Sequence, residues 1–247
     1  MNEPWKVAAA GTLGGVLLSV TLIFCAAQLG WLPARVSDSA IHDYLVSHPQ
    51  VLVEVDGILR ANDAADALKQ QQSSIDKIGV KAFLDPKIAF LTGPANAKNT
   101  VVEFFDYNCP YCRASLPVFQ KFYLAHQNDT RFAFIEFPIK GVESERAARV
   151  SLAARNQADK YMALHFALMS EKSVVDEGTV YQTAQKIGLD LGKILTDVKS
   201  SAIDDTMDSL IAIAGKAGLN STPTYIINGK VVLGALKPGE LESLMKN

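Results

Sequence analysis

The stretch FFDYNCPYC, residues 104–112, sets Cys109 and Cys112 two residues apart, with Pro110 and Tyr111 between them, directly behind a run of strand-forming residues. Working outward, VVEFFDY (101–107) reads as a buried strand and CPYCRASLPVFQKFYLAH (109–126) as a helix beginning at the cysteines. RFAFIEF (131–137) reads as the next strand. Strand, helix and strand within about 40 residues form a βαβ unit, which needs a parallel pair.

Downstream, residues 144–217 carry only helical spacing, first through Ala147, Val150, Ala154, Tyr161 and Leu164, later through Ile203, Met207, Leu210 and Ile213. STPTYIINGKVVLGA (221–235) then reads as strand, Asn228-Gly229 turn and strand, the pairing of a type I′ hairpin. PGELESLMKN (238–247) closes as a short helix. The order β-α-β, helical block, β-β-α gives an α/β chain with the thioredoxin topology and an inserted all-α domain at about 144–217.

Upstream, LDPKIAFLTGPANAKNT (84–100) reads as a linker, because Pro86, Gly93 and Pro94 break it. Residues 36–83 read as a helical stalk. Val51, Val55, Ile58, Ala61, Ala65, Leu68, Gln72 and Ile75 advance by threes and fours along a narrow seam, suited to pairing with a copy of itself or to lying on its own domain. Gly57 works against a long straight rod. Residues 1–35 read as a transmembrane anchor. From Val7 to Ala34 the one ionisable group is the Cys25 thiol, a run longer than the roughly 20 residues a bilayer core requires. Trp5 and Trp31 bracket it, 26 positions apart, or about 39 Å along a helix. A cleaved secretory signal is the competing reading. Either one exports the remainder, which forms one main domain at 84–247.

Net charge is −2, from 24 basic and 26 acidic residues without a long run of one sign, so nothing points to nucleic acid. Beyond residue 35 there are two cysteines, too few and too close for a disulfide-stapled scaffold. A structural zinc needs four ligands, and no second pair accompanies this one. His42, His48, His126 and His165 are scattered and read as surface or satisfied core residues, so no metal site is expected. A soft ion such as Cu(I) between two thiolates stays chemically open.

At the first turn of a helix, free amides and the macrodipole favour a thiolate at Cys109 and lower its pKa. Cys112, one turn later, is placed to attack a mixed disulfide there. Pro110 presets the helical φ without needing an amide partner. Glu103 interrupts the apolar run VVEFF, either as a proton partner for Cys112 or as a salt-bridged or edge-facing residue. Pro223 precedes a strand; sequence alone favours a trans bond, whereas a cis Thr222-Pro223 bond would bring the Thr222 backbone beside the cysteines.

Together, VVEFFDYNCPYC, the helical block and STPTYIING resemble the DsbA-like branch of the thioredoxin superfamily over about residues 98–247. The resemblance implies a thioredoxin fold with a helical insertion and dithiol-disulfide exchange on proteins in the bacterial periplasm. It implies Cys109 as nucleophile, Cys112 as resolving cysteine, Glu103 as buried acid and Thr222-Pro223 as a cis-proline loop. Tyr111 stands where the best-known monomeric oxidases carry histidine, which implies a less oxidising pair. IHDYLVSHPQVLVE (41–54) ahead of EFFDYNCPYC looks more like the ScsC/Com1-like subgroup, some of whose members oligomerise through that segment and act as isomerases. CPYC also occurs in glutaredoxins, which are short and cytosolic.

The expectation is a single-pass inner-membrane protein with its catalytic domain in the periplasm, or a cleaved soluble periplasmic one. It would need no cofactor beyond the Cys109–Cys112 disulfide. Its partners would be unfolded or misoxidised proteins, a membrane redox partner, and copies of itself through residues 36–83. The alternative is a copper-handling or chaperone-like binding protein.

Overall fold

The computed structural model describes residues 37–245. The segment read as an anchor, residues 1–35, lies outside the described residues, among which no helix is long and apolar enough to cross a membrane. The chain divides into two units, Met1–Asn62 and Asp63–Asn247.

In the first unit α1 (Asp38–Ser47) begins where the Ser37 hydroxyl accepts from the Ala40 amide at 3.2 Å, satisfying one of the free donors of a helix start. The next helix, α2 (Gln50–Ile78), runs on into the second unit. Gly57 does not interrupt it: a cost of about 1 kcal/mol is too small to end a helix whose hydrogen bonds propagate cooperatively. No described residue of this unit is buried. Ile41, Tyr44, Leu52, Val53, Val55 and Ile58 are all exposed.

In the second unit the last turns of α2 dock through polar groups as well as through the seam. Gln72 Nε2 donates to Gly229 O at 2.8 Å and Gln72 Oε1 accepts from Val231 N at 2.9 Å. Gln71 donates to Gly218 O at 3.0 Å, and Ile75 is buried. Ile75 joins the core together with Phe83, on the 3-10 turn Val80–Leu84. The segment read as a stalk thus ends inside this unit, because its amides and apolar groups find partners there.

The sheet has the order β1-β3-β2-β4-β5, with β1 Phe90–Thr92, β2 Asn99–Phe105, β3 Thr130–Glu136, β4 Thr224–Ile227 and β5 Lys230–Leu233. Only β2 and β3 run parallel, and α3 (Pro110–His126) crosses between them. The other pairs are antiparallel. Asn228 and Gly229 have φ of 49° and 89°, both positive as a type I′ turn requires. The linker expected over 84–100 contains β1, a three-residue edge strand held by β3 and too short to give a period of its own.

Between β3 and β4 lie α4 (Val142–Ala154), α5 (Ala158–Met169), α6 (Glu177–Ile187), α7 (Leu191–Asp197) and α8 (Ser201–Ala217), and α9 (Glu240–Met245) follows the hairpin. Phe119 of α3 lies against Phe132, Phe134 and Tyr225, with ring centroids 5.5–6.4 Å apart. That packing fixes α3 over the sheet and sets its first turn at the carboxyl end of β2, where open α/β sheets build their sites.

Gly93, just after β1, has φ +76, and a Cβ there would collide with Thr130 O. Gly93→Ala is expected to cost more than about 2 kcal/mol, read as a lower urea midpoint with unchanged slope.

Candidate active site

Between β2 and α3 the chain turns through Asp106, Tyr107 and Asn108, and Cys109 is the residue that caps the helix. Asp106 is buried and fully used. Its Oδ1 accepts from Asn108 N (2.7 Å) and Ser144 Oγ (2.8 Å), its Oδ2 from Lys140 N (2.8 Å), and its carbonyl from Cys109 N (3.0 Å). Asn108 pairs with Val175 in both directions, accepting at 2.8 Å and donating at 2.9 Å. Arg113 donates to Tyr107 O (2.8 Å) and Ser173 O (2.9 Å). The loop before the cysteines is therefore sewn to α4 and to the segment 173–175.

Cys109 and Cys112 are both free thiols and both buried. Cys109 Sγ donates to Thr222 O at 3.1 Å, and the Thr222-Pro223 bond is cis. The Cys112 thiol, followed by the Thr222 side chain and the amides of Cys112 and Tyr111, lowers the Cys109 pKa from 9.0 to about 5 against the opposing effect of burial. Cys112 moves the other way: burial, and then Cys109, hold it far above the ordinary thiol value. One thiol is poised as thiolate, the other as a proton carrier.

Glu103 lies on the central strand β2, opposite Tyr225 of β4 and Phe134 of β3, so it is not edge-facing. Burial pushes its carboxyl up to about 8, which the Tyr225 hydroxyl, 3.3 Å from Oε1, partly offsets. Oε2 has no hydrogen-bond partner and stands 3.8 Å from His165 Nε2. His165 on α5 is buried and is pushed down to about 3 by desolvation. Pro110 is the first residue of α3, and Tyr111 is exposed at 64%.

The structure thus gathers Glu103, Cys109, Pro110, Tyr111, Cys112, Thr222 and Pro223 in one region. His165 differs from its sequence reading: it is neither on the surface nor satisfied, because its Nδ1 is buried without a partner. Asp106, Asn108, Ser144 and Tyr225 were missed. The Asp-x-Asn just ahead of Cys109 was a usable turn signal; the other partners depend on tertiary register. Among the described residues no three His, Cys, Asp or Glu side chains gather as a metal site.

Residues 100–246 match the family described as DSBA-like thioredoxin domain. A solved structure of a thioredoxin-like oxidoreductase from Silicibacter pomeroyi is 36% identical, over 66% of this chain and 93% of that one, with a TM-score of 0.61. ScsC of Proteus mirabilis in a transitional conformation is similar in fold, at 24% identity over 84% of this chain and 91% of that one, TM-score 0.62. A curated Na(+)/H(+) antiporter NhaA from Herminiimonas arsenicoxydans is 28% identical over 152 residues, 62% of this chain and 24% of that protein. The chain therefore spans about a quarter of the length of the first curated relatives it matches.

The depressed Cys109 pKa has a defined consequence for stability. Between pH 5 and 9 the folded, reduced protein carries fewer protons at Cys109 than the unfolded chain, so this contribution is full above pH 9 and is lost as pH falls through about 5. The ultraviolet absorbance of the thiolate should titrate with a midpoint near pH 5 and vanish in Cys109→Ser, while reduced wild type gains stability over that variant as pH rises from 5 to 9. A midpoint near 9 would contradict the geometry.

Proposed function

As the chain belongs to the DsbA-like thioredoxin domain family, a family of thiol-disulfide oxidoreductases, we propose that it exchanges disulfides with protein clients through Cys109 and Cys112. The single observation that carries this reading is the Cys109 sulfur set 3.1 Å from Thr222 O at the cis-proline loop, with buried Cys112 one helical turn behind it.

To oxidise a client, a client thiolate attacks Cys109 Sγ of the Cys109–Cys112 disulfide. The client–Cys109 bond forms, the Cys109–Cys112 bond breaks, and Cys112 takes up a proton. A second client thiolate then attacks the client sulfur and expels Cys109 as its stabilised thiolate, so two electrons have passed from client to pair. To reduce or shuffle, the Cys109 thiolate attacks a client disulfide; Cys112, once deprotonated, attacks Cys109 Sγ and expels the client's sulfur. Glu103 takes and returns the Cys112 proton. Thr222 offers its backbone to an extended client segment, held in place by Pro223, and exposed Tyr111 with Pro110 forms the rim the client meets. No cofactor beyond the cysteine pair takes part.

A pKa near 5 lies between the roughly 3.5 and 7 found for strongly oxidising and reducing Cys-x-x-Cys pairs, in keeping with tyrosine rather than histidine at position 111 and with a less oxidising pair. The catalytic unit works in the bacterial periplasm on unfolded or misoxidised proteins. Residues 1–35 tether it to the inner membrane, where a redox partner restores the pair. The exposed apolar side chains of residues 37–62 support association with copies of the chain through the N-terminal helical segment, which favours isomerase or reductase work, since several reduced sites then face one client.

With the full chain in detergent, wild type should exchange with oxidised glutathione, Cys109→Ala should lose exchange altogether, and Cys112→Ala should stall as a mixed disulfide detected by mass. A wild type that does not exchange ends this reading. Sedimentation is expected to give an oligomer, and alkylation trapping in intact cells a mostly reduced pair. A monomer with a mostly oxidised pair would make the protein an oxidase.

A further inference from the structure

The geometry around Glu103 points to a second group in the proton path of Cys112. Glu103 Oε2 and His165 Nε2 face each other at 3.8 Å, and Oε2 has no hydrogen-bond partner. Both side chains are at least nine-tenths buried, with relative exposures of 5% and 1%. A buried polar atom without a partner costs on the order of 1–3 kcal/mol, so an unpartnered Glu103 Oε2 turned toward the imidazole of His165, whose other nitrogen Nδ1 is also buried without a partner, calls for a reason. We propose that His165 is a positioning residue for disulfide exchange, sharing one proton with Glu103 across this gap so that Glu103 can receive the proton of Cys112. This rests on the dithiol reading above and deepens it.

The charge balance explains why the histidine is needed. With one proton between them, the pair is neutral whether that proton sits on Oε2 or on Nε2. Moving it to His165 leaves Glu103 a carboxylate without burying a net charge, whereas ionising Glu103 alone buries one. Burial holds Glu103 up at about 8 and His165 down at about 3, so the neutral arrangement is the resting one. In the resolving step Cys112 S–H gives its proton to the Glu103 carboxylate. The Cys112 thiolate then attacks Cys109 Sγ, the Cys109–Cys112 bond forms, and the bond from Cys109 to the client breaks. The client sulfur leaves with the electron pair, and the surplus proton of the Glu103–His165 pair goes to that sulfur or to water.

The imidazole is set among aromatic rings. Phe105, Phe134 and Phe166 wall the imidazole at ring-centroid distances of 4.6–5.3 Å. The titratable groups that face the pair are Cys112 on α3, with Cys109 beside it, Tyr225 on β4 and Tyr107 after β2. Both tyrosines are held neutral by burial far above the ordinary phenol value. Glu136 acts on Tyr107, one of these neighbours.

The test separates the two chemical steps. Reduced full-length protein is mixed with oxidised glutathione, quenched in acid at intervals and weighed, so that formation of the glutathione mixed disulfide on Cys109 and its resolution by Cys112 are timed independently across pH. In His165→Gln and His165→Phe the first step should stay within about twofold of wild type. Resolution should slow about tenfold at neutral pH, with its pH midpoint about one unit higher. A resolution profile that overlays wild type in both variants would overturn the role of His165 while leaving the dithiol reading intact. Equal slowing of both steps would also overturn it, because the site as a whole would then have been disturbed. A wild type that forms no mixed disulfide removes the dithiol reading, and this proposal with it.

Discussion

A 3.1 Å contact from Cys109 Sγ to the Thr222 carbonyl joins two segments 113 residues apart, and the rest of the second unit is arranged so that the two can meet. The helix start that carries Cys109 is aimed by Phe119, which anchors α3 on β3 and β4. The loop that carries Thr222 is aimed by β4, whose pairing with β2 sets Thr224 opposite Phe104. The helical block adds a third support: Phe166 packs on Tyr123 of α3, and the block holds the turn between β2 and α3 through Ser144, Ser173 and Val175. Hydrogen bonds that satisfy buried Asp106 and Asn108 are thus the same bonds that orient the cysteine, so satisfaction of polar groups and positioning of the site cannot be separated here.

What could be read from sequence follows the reach of each signal. Pro110 and Cys109 act through the helix start they sit on, and Asn228-Gly229 acts through its own two φ angles, so local chemistry was enough for both. Glu103 was legible as an anomaly, a charge in an apolar run, but its partners were not: Tyr225 lies 122 residues away and is brought opposite by antiparallel register. His165 was illegible for a related reason. On α5 it sits among Tyr161, Leu164, Phe166 and Leu168, all buried, and nothing local distinguishes a histidine packed among aromatics from one turned toward a carboxylate. The strand β1 has three residues, fewer than a period-2 pattern needs to declare itself, and exists because β3 offers it an edge. Gln72, which falls in the narrow helical seam by its spacing, works through its amide, on the backbone of the β4–β5 hairpin.

Two buried glutamates on adjacent strands show why a raised pKa does not by itself mark a functional group. Glu103 of β2 and Glu136 of β3 are both pushed up to about 8, and in both burial is the largest cause. Glu136 lies in a run of hydroxyls: Tyr161 OH donates to it at 3.3 Å, and Ser151 connects Tyr161 to Tyr107 at 3.4 and 2.9 Å. A proton on Glu136 has neighbours that bond to it in either state, so that network is consistent with a structural role in the core. Glu103 has one such neighbour, Tyr225, and one oxygen without any, and that oxygen faces the imidazole of His165 rather than a hydroxyl. The field of Glu103 is felt at Cys112, which ties its protonation to the sulfur that must gain or lose a proton. Equal desolvation therefore produces a settled carboxyl at one position and an unsettled one at the other, and the difference lies in the unpartnered atom and its nearness to Cys112 rather than in the size of the shift.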